Sequence, residues 1–195
     1  MPQSEQNRVR MIILDRDGVI NQDSPEFIKS PAEWVPIPGS LEAIARLNQA
    51  GYRVVIASNQ SGIARELFDI TTLNAIHQKM HSSAQQVGAN IDAIFFCPHA
   101  AMDSCDCRKP KAGMFEEIAK RFKISLKGVP TVGDSLRDLQ AGFVSGCVPF
   151  LVLTGKGEHT AQVGGLPPGT QVFPDLATMV SSLLKTGAAA QHIPT

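Results

Sequence analysis

Arg10-Met11-Ile12-Ile13-Leu14 runs directly into Asp15-Arg16-Asp17-Gly18, and this passage sets the frame for the rest of the chain. A short apolar run that ends in two acids and a glycine reads as a buried strand leading into a polar loop. The pattern recurs downstream. Tyr52 to Ala57 reads as a strand and is followed by Ser58-Asn59-Gln60-Ser61-Gly62. Ile91 to Phe96 reads as another, Val129 to Val132 leads into Gly133-Asp134-Ser135, and Phe150 to Leu153 closes the series. Helical segments stand between these strands. Ser40 is expected to cap a helix with Leu41, Ile44 and Leu47 on one face, stopped by Gly51. Thr71 or Thr72 opens a second, with Leu73, Ile76, Met80 and Val87 inward and Gly88 at its end. Met114 to Phe122 and Leu136 to Phe143 make two more, and Asp175 caps a last one carrying Leu176, Met179, Val180 and Leu183. Strand and helix in steady alternation predict an α/β fold: a three-layer, Rossmann-like, mostly parallel sheet covered on both faces. Residues 10–185 are expected to form one domain, with residues 1–9 a loose arm and residues 186–195 a frayed tail.

Composition narrows the function. The chain has 195 residues, 43% of them hydrophobic, enough for one core. Eighteen basic residues balance eighteen acidic ones, so bulk attraction to nucleic acid or to an anionic membrane is not expected. The longest apolar run, Val148 to Leu153, is far short of the ~20 residues of a membrane span. No secretory signal is recognisable, so a cytoplasmic protein and a monomer are expected. In that compartment four cysteines point to metal or catalysis before disulfides.

In an open α/β sheet, ligands bind beyond the carboxyl ends of the strands, so the loops after the first, second and fourth strands should converge on one crevice. Asp15, at a strand end, can attack phosphorus to give an aspartyl phosphate. Asp17 can protonate the departing alkoxide and then deprotonate water. Asp134 brings a third carboxylate, and such oxygen ligands suit Mg²⁺. Asp-x-Asp alone reads equally well as a solvated loop; its position after a strand, with Gly133-Asp134 after a later one, favours the site. Ser58 to Gly62 suits a cradle for phosphoryl oxygens, though alone it is an ordinary polar turn. In Arg108-Lys109-Pro110-Lys111, Lys109 offers a point charge and Arg108 a bidentate fork for a second anion; taken alone, this cluster is a solvated loop. Cys97-Pro98-His99 and Cys105-Asp106-Cys107 place three thiols and an imidazole within eleven residues, a closed tetrahedral set for structural Zn²⁺. Cys147 reads as a buried small side chain, and His77 and His81, four apart on a helix, as surface residues.

Taken in order, Asp15-Arg16-Asp17-Gly18-Val19-Ile20-Asn21, Ser58 to Arg65, Cys97-Pro98-His99, Cys105 to Pro110 and Val132-Gly133-Asp134 resemble the haloacid dehalogenase superfamily. More narrowly they resemble its heptose bisphosphate phosphatase and histidinol-phosphatase branch, from about residue 10 to residue 155. The resemblance implies a fold without a large cap domain and with a zinc-binding loop. It implies Asp15 as nucleophile, Asp17 as acid and base, Ser58 and Lys109 as phosphoryl contacts, and Arg108 as a substrate contact. It further implies Mg²⁺ on Asp15, Asp134 and the Asp17 carbonyl, and substrate contacts at Asp23, Ser24, Pro25 and Glu26 and along Ser58, Asn59, Gln60 and Ser61. The partner is then a small phosphorylated sugar, in the supply of nucleotide-activated heptose for lipopolysaccharide, or histidinol phosphate in histidine synthesis. Two departures stand out: the interval between His99 and Cys105 is shorter than in some members, and Ser135 stands where a lysine is common. A zinc-bearing interaction module is the alternative of another class, and intact Asp15 and Asp17 weigh against it. A nucleic-acid phosphatase is disfavoured by zero net charge and 6% aromatic residues.

Overall fold

The computed structural model describes residues 10–189, so the expected arm and residues 190–195 lie outside it. Six parallel strands, β1 (Arg10–Leu14), β2 (Tyr52–Asn59), β3 (Ala93–Cys97), β4 (Pro130–Gly133), β5 (Val148–Val152) and β6 (Gln171–Phe173), form one sheet in the order β3-β2-β1-β4-β5-β6. Helices α1 (Ser40–Gln49), α2 (Ile70–Gln86), α3 (Gly113–Phe122), α4 (Leu136–Val144), α5 (Gly157–Val163) and α6 (Leu176–Ala189) complete the fold. Alternate residues of each strand feed different cores. Ile12, Leu14, Val54 and Ile56 join the helix residues Ile44, Ile76 and Met179 in one cluster. Met11, Ile13, Val55 and Ala57 join Met114, Phe115 and Ile118 in the other. That two-sided burial explains why the strands read as continuous apolar runs. No described helix is long and apolar enough to cross a membrane.

The strand order reverses beside β1. The β1 strand pairs β2 on one side, with Leu14 opposite Ile56, and β4 on the other, with Leu14 opposite Val132. The Asp15 N–H continues the ladder to Val132 O at 2.9 Å, so the loops after β1 and β4 leave the sheet side by side. A ligand crevice is expected at such a switch point.

Several local expectations are corrected. Gly39, with φ +81°, caps α1, whereas Ser40 lies in its first turn and its Oγ donates to Ile20 O at 2.6 Å. That bond ties the start of α1 to the loop after β1. Helix α2 begins at Ile70 with Asp69 as cap, its carboxylate accepting from Thr72 N at 2.7 Å. Val87 lies past the end of α2 and is exposed, and His77 is buried on its inner face rather than at the surface. Helix α6 runs to Ala189, beyond the expected boundary at residue 185, with Asp175 accepting from Thr178 N as its cap. The elements α5 and β6 have no counterpart in the sequence reading.

Candidate active site

Lys109 is the hub of the site. It is 2% exposed, and its ammonium lies 3.0 Å from Asp15 Oδ1, 2.7 Å from Asp138 Oδ1 and 2.6 Å from Ala57 O. All three protons of the ammonium are therefore engaged inside the protein. The backbone around it is fixed as well: Asn59 Nδ2 donates to Lys109 O at 3.0 Å, and Lys109 N donates to Asn59 Oδ1 at 3.1 Å. The Lys109–Pro110 peptide is cis.

Asp15, Asp134 and Asp138 present carboxylate oxygens within 4.8 Å of one another, all buried. Burial pushes Asp15 up to about 6, with Asp138 and Asp17 adding to the rise against the pull of Lys109. Burial, followed by Asp138 and Asp15, pushes Asp134 up to about 8. Asp138 goes the other way: burial raises it, but Lys109, Arg137 and the Ser135 hydroxyl outweigh burial. Asp15 Oδ1 and Asp138 Oδ1 have no partner other than the lysine. Three crowded carboxylates facing one ammonium leave an excess of negative charge, and their all-oxygen donor set fits a hard divalent cation such as Mg²⁺. Asp134 Oδ2 accepts from Lys156 N at 2.8 Å, so the turn after β5 steadies this carboxylate.

Asp17 stands apart from that trio. Its carboxylate is clasped by the fully buried Arg16 through two bonds, Nε to Oδ1 at 3.0 Å and NH2 to Oδ2 at 2.9 Å. Asn21 Nδ2 adds a third at 2.9 Å and Gln60 Nε2 a fourth at 3.0 Å. Burial raises Asp17, but Arg16 and these bonds outweigh it and hold the carboxyl below its ordinary value. Gln60 also donates to Ser58 Oγ at 2.7 Å and accepts from Arg16 at 3.1 Å. One amide thus links the loops after β1 and β2.

Of these groups, Asp15, Asp17, Ser58 and Gln60 line a cleft of about 280 Å³. Its lining also includes Asn59, Ser61, Asp23, Ser24, Pro25 and Arg108. Glu26 is exposed and does not line it. The sequence reading did not single out Phe27, Arg65, Arg137 and Lys156, which line it too. The Arg65 guanidinium lies 5.6 Å from the Phe27 ring centre, and Lys156 Nζ lies 2.5 Å from Asp23 Oδ2. Ser135 turns away from the cleft: its hydroxyl and N–H both bond Asp138 Oδ2, the capping box of α4.

Cys97, His99, Cys105 and Cys107 converge at the end of β3, their donor atoms within 4.8 Å of one another. Cys97 Sγ lies 3.1 Å from Cys107 Sγ and 3.8 Å from Cys105 Sγ, and His99 Nδ1 lies 3.3 Å from Cys107 Sγ. A tetrahedral zinc with bonds of ~2.3 Å separates its sulfurs by ~3.8 Å, so this set has the size and composition of a zinc site. Four protein donors leave no open position. Cys107 is two residues from Lys109, which links the thiol cluster to the buried ammonium. Cys147 is buried at a distance from this set, as expected.

A parallel sheet with this strand order and acids beyond the carboxyl ends of β1 and β4 defines the class of haloacid dehalogenase-like hydrolases. The family model for polynucleotide kinase 3 phosphatase matches residues 10–137, and a HAD hydrolase-like model matches residues 106–179. The chain is 59% identical to D-glycero-beta-D-manno-heptose-1,7-bisphosphate 7-phosphatase of Bordetella bronchiseptica, over 91% of this chain and 99% of that protein. It is 50% identical to the protein of the same name from Neisseria meningitidis serogroup A, over 94% and 99%. Among solved structures, D,D-heptose 1,7-bisphosphate phosphatase from B. bronchiseptica, complexed with magnesium and phosphate, superposes with a TM-score of 0.90 at 59% identity. That match covers 91% of this chain and 99% of the other. The chain belongs to the heptose bisphosphate phosphatase family.

Proposed function

We infer that the protein is a magnesium-dependent phosphoric monoester hydrolase that removes the 7-phosphate of D-glycero-D-manno-heptose 1,7-bisphosphate. The observation that carries the reading is the buried trio Asp15, Asp134 and Asp138 beside Lys109, in a chain 59% identical to a heptose bisphosphate phosphatase along almost its whole length. The names of several such relatives specify the β anomer, and the proposal takes it over.

In the proposed mechanism an Asp15 oxygen attacks the 7-phosphorus. The P–O7 bond breaks and Asp17 delivers a proton to O7, releasing the sugar. Water then attacks the phosphorus of the aspartyl phosphate. Asp17 takes the water proton, inorganic phosphate leaves and the Asp15 carboxylate is restored. The Arg16 clasp keeps Asp17 ionised at rest, which suits the second half; approach of the substrate's phosphate charge favours its protonation for the first. Asp15, Asp134 and the Asp17 carbonyl are the proposed holders of Mg²⁺, which when bound supplies positive charge to the phosphoryl oxygens. Lys109 offsets the charge on Asp15 from behind, Ser58 contacts the phosphoryl group, and Arg108 reaches the rest of the substrate. The thiol and imidazole set holds a structural zinc. A cytoplasmic monomer is proposed with this activity.

Phosphate release from heptose bisphosphate and from histidinol phosphate, measured side by side with Mg²⁺, tests the reading. Turnover of the heptose at least about tenfold more efficient in kcat/KM is the expected result; preference for histidinol phosphate would overturn it.

A further inference from the structure

Four cations line the cleft, and three of them are engaged. Arg108 donates to His99 O at 3.1 Å, Arg65 rests over the Phe27 ring, and Lys156 pairs with Asp23. Arg137 is the exception. It is half-buried on the wall of the cleft, its Nε is buried without a hydrogen-bond partner, and it makes no hydrogen bond or ion pair with the described residues. That nitrogen forgoes hydration without replacing it. Its place in α4 is also adverse, because the first helical turn carries partial positive charge and favours acids. Burial opposes the charge, but the nearby acids, Asp138 first, outweigh burial and keep the guanidinium charged. A charged fork with an unpartnered nitrogen at the wall of a cleft has donors to offer an anionic ligand.

Charge balance identifies the ligand. The reacting phosphate is the one beside Asp15 and Lys109. The second phosphate of a bisphosphate carries about two negative charges, more than the single charge of Arg108 offsets. Among the cations of the cleft Arg137 is the one with no hydrogen bond, ion pair or ring contact with the described residues. Arg137 lines the same cleft as Asp15 and Arg108, so it faces the space in which that second phosphate must lie. We propose that Arg137 grips the non-reacting phosphate of the substrate, together with Arg108, and is a specificity-determining residue for bisphosphates. This rests on the function inferred above.

The test compares heptose 1,7-bisphosphate with heptose 7-phosphate, using wild type, Arg137→Met and Arg137→Lys. One lost charge-assisted fork predicts that Arg137→Met lowers the ratio of kcat/KM for bisphosphate over monophosphate by about tenfold to a hundredfold, mainly through KM. Arg137→Lys, which keeps the charge but not the fork, gives an intermediate ratio and serves alone if the methionine variant fails to fold. A ratio within about twofold of wild type in a folded variant overturns the proposal, whether both activities persist or both collapse, since equal losses mark a structural or catalytic role. Wild type that does not hydrolyse the bisphosphate overturns the inferred function instead, and with it the proposal.

Discussion

Asp15 is the residue on which the proposed chemistry turns. Asp15→Asn keeps the shape of the side chain and removes its nucleophilicity, so phosphate release is expected to be nearly abolished; retention of more than about a tenth of kcat in a folded variant would remove Asp15 from that role. Gly155 gives a quieter test. It has φ +59°, and a Cβ there would overlap Asp134 Oδ2 and stand 2.6 Å from Gly18 Cα. Gly155→Ala is therefore expected to displace the Asp134 carboxylate and raise the Mg²⁺ concentration needed for half-maximal activity by about tenfold or more, read from a magnesium titration. The acids were legible in the sequence because their type and their place after strands carry the signal. Asp138 and Arg137 were not, because both lie in the first turn of α4, where an acid reads as an ordinary partner of the helix N-terminus and an arginine as a surface residue. Arg16 was quoted as part of a motif without a task, because its bond to Gln60 exists only once β1 and β2 lie side by side.

At the scale of elements, the loop after β3 and helix α2 each carry a prediction. Few apolar side chains hold the loop, so its thiol cluster fixes Cys107 and, two residues on, Lys109. Cys107→Ser is expected to lose the bound zinc, measured by metal analysis, and to raise KM or lower the melting temperature while the magnesium requirement stays as in wild type. A folded, equally active protein without zinc would refute the structural role. In α2, burial, followed by the charges of Arg16 and His81, lowers His77 to about 4 from 6.5, and its Nε2 has no partner. The folded state keeps this imidazole neutral, while the unfolded chain binds a proton below its ordinary value. Stability is therefore full above pH 6.5 and is lost as the pH falls toward about 4. The loss is on the order of 3 kcal/mol and should be largely absent in His77→Leu, as urea midpoints across that range would show. The elements themselves were read well wherever apolar runs or stripes mark them. The cap of α1 was misassigned because serine is the commoner cap, and only the positive φ of Gly39 reveals the true one. Helix α5 and strand β6 escaped because Gly157–Val163 has no apolar stripe and Gln171–Phe173 is only three residues long.

At the scale of the whole molecule, the metal and the fold are linked. A cation that binds Asp15 and Asp134 in the folded state but not the unfolded chain stabilises by about 2.7 kcal/mol at a hundredfold excess over its dissociation constant. Thermal unfolding is therefore expected to shift upward by several degrees with Mg²⁺ in wild type and by much less in Asp134→Asn; equal shifts in both would place the ion elsewhere. The layered α/β class followed from the alternation of segments alone. The strand order did not, because nothing in a buried strand's apolar residues states its neighbours; the crevice beside β1 was placed by a general rule, and the sheet's pairing supplies the particulars.

The central place of β1 also bears on how the chain is made. Ile13 pairs with Val55 early, but its other neighbour, Thr131, emerges from the ribosome 118 residues after it. Through most of synthesis the strand Met-Ile-Ile-Leu thus presents an open, unpaired edge, the kind that recruits other nascent chains. Loop closure over that distance must precede its protection. The same wait delays the meeting of Asp15 with Asp134, so catalytic competence arrives with the step that seals the aggregation-prone edge.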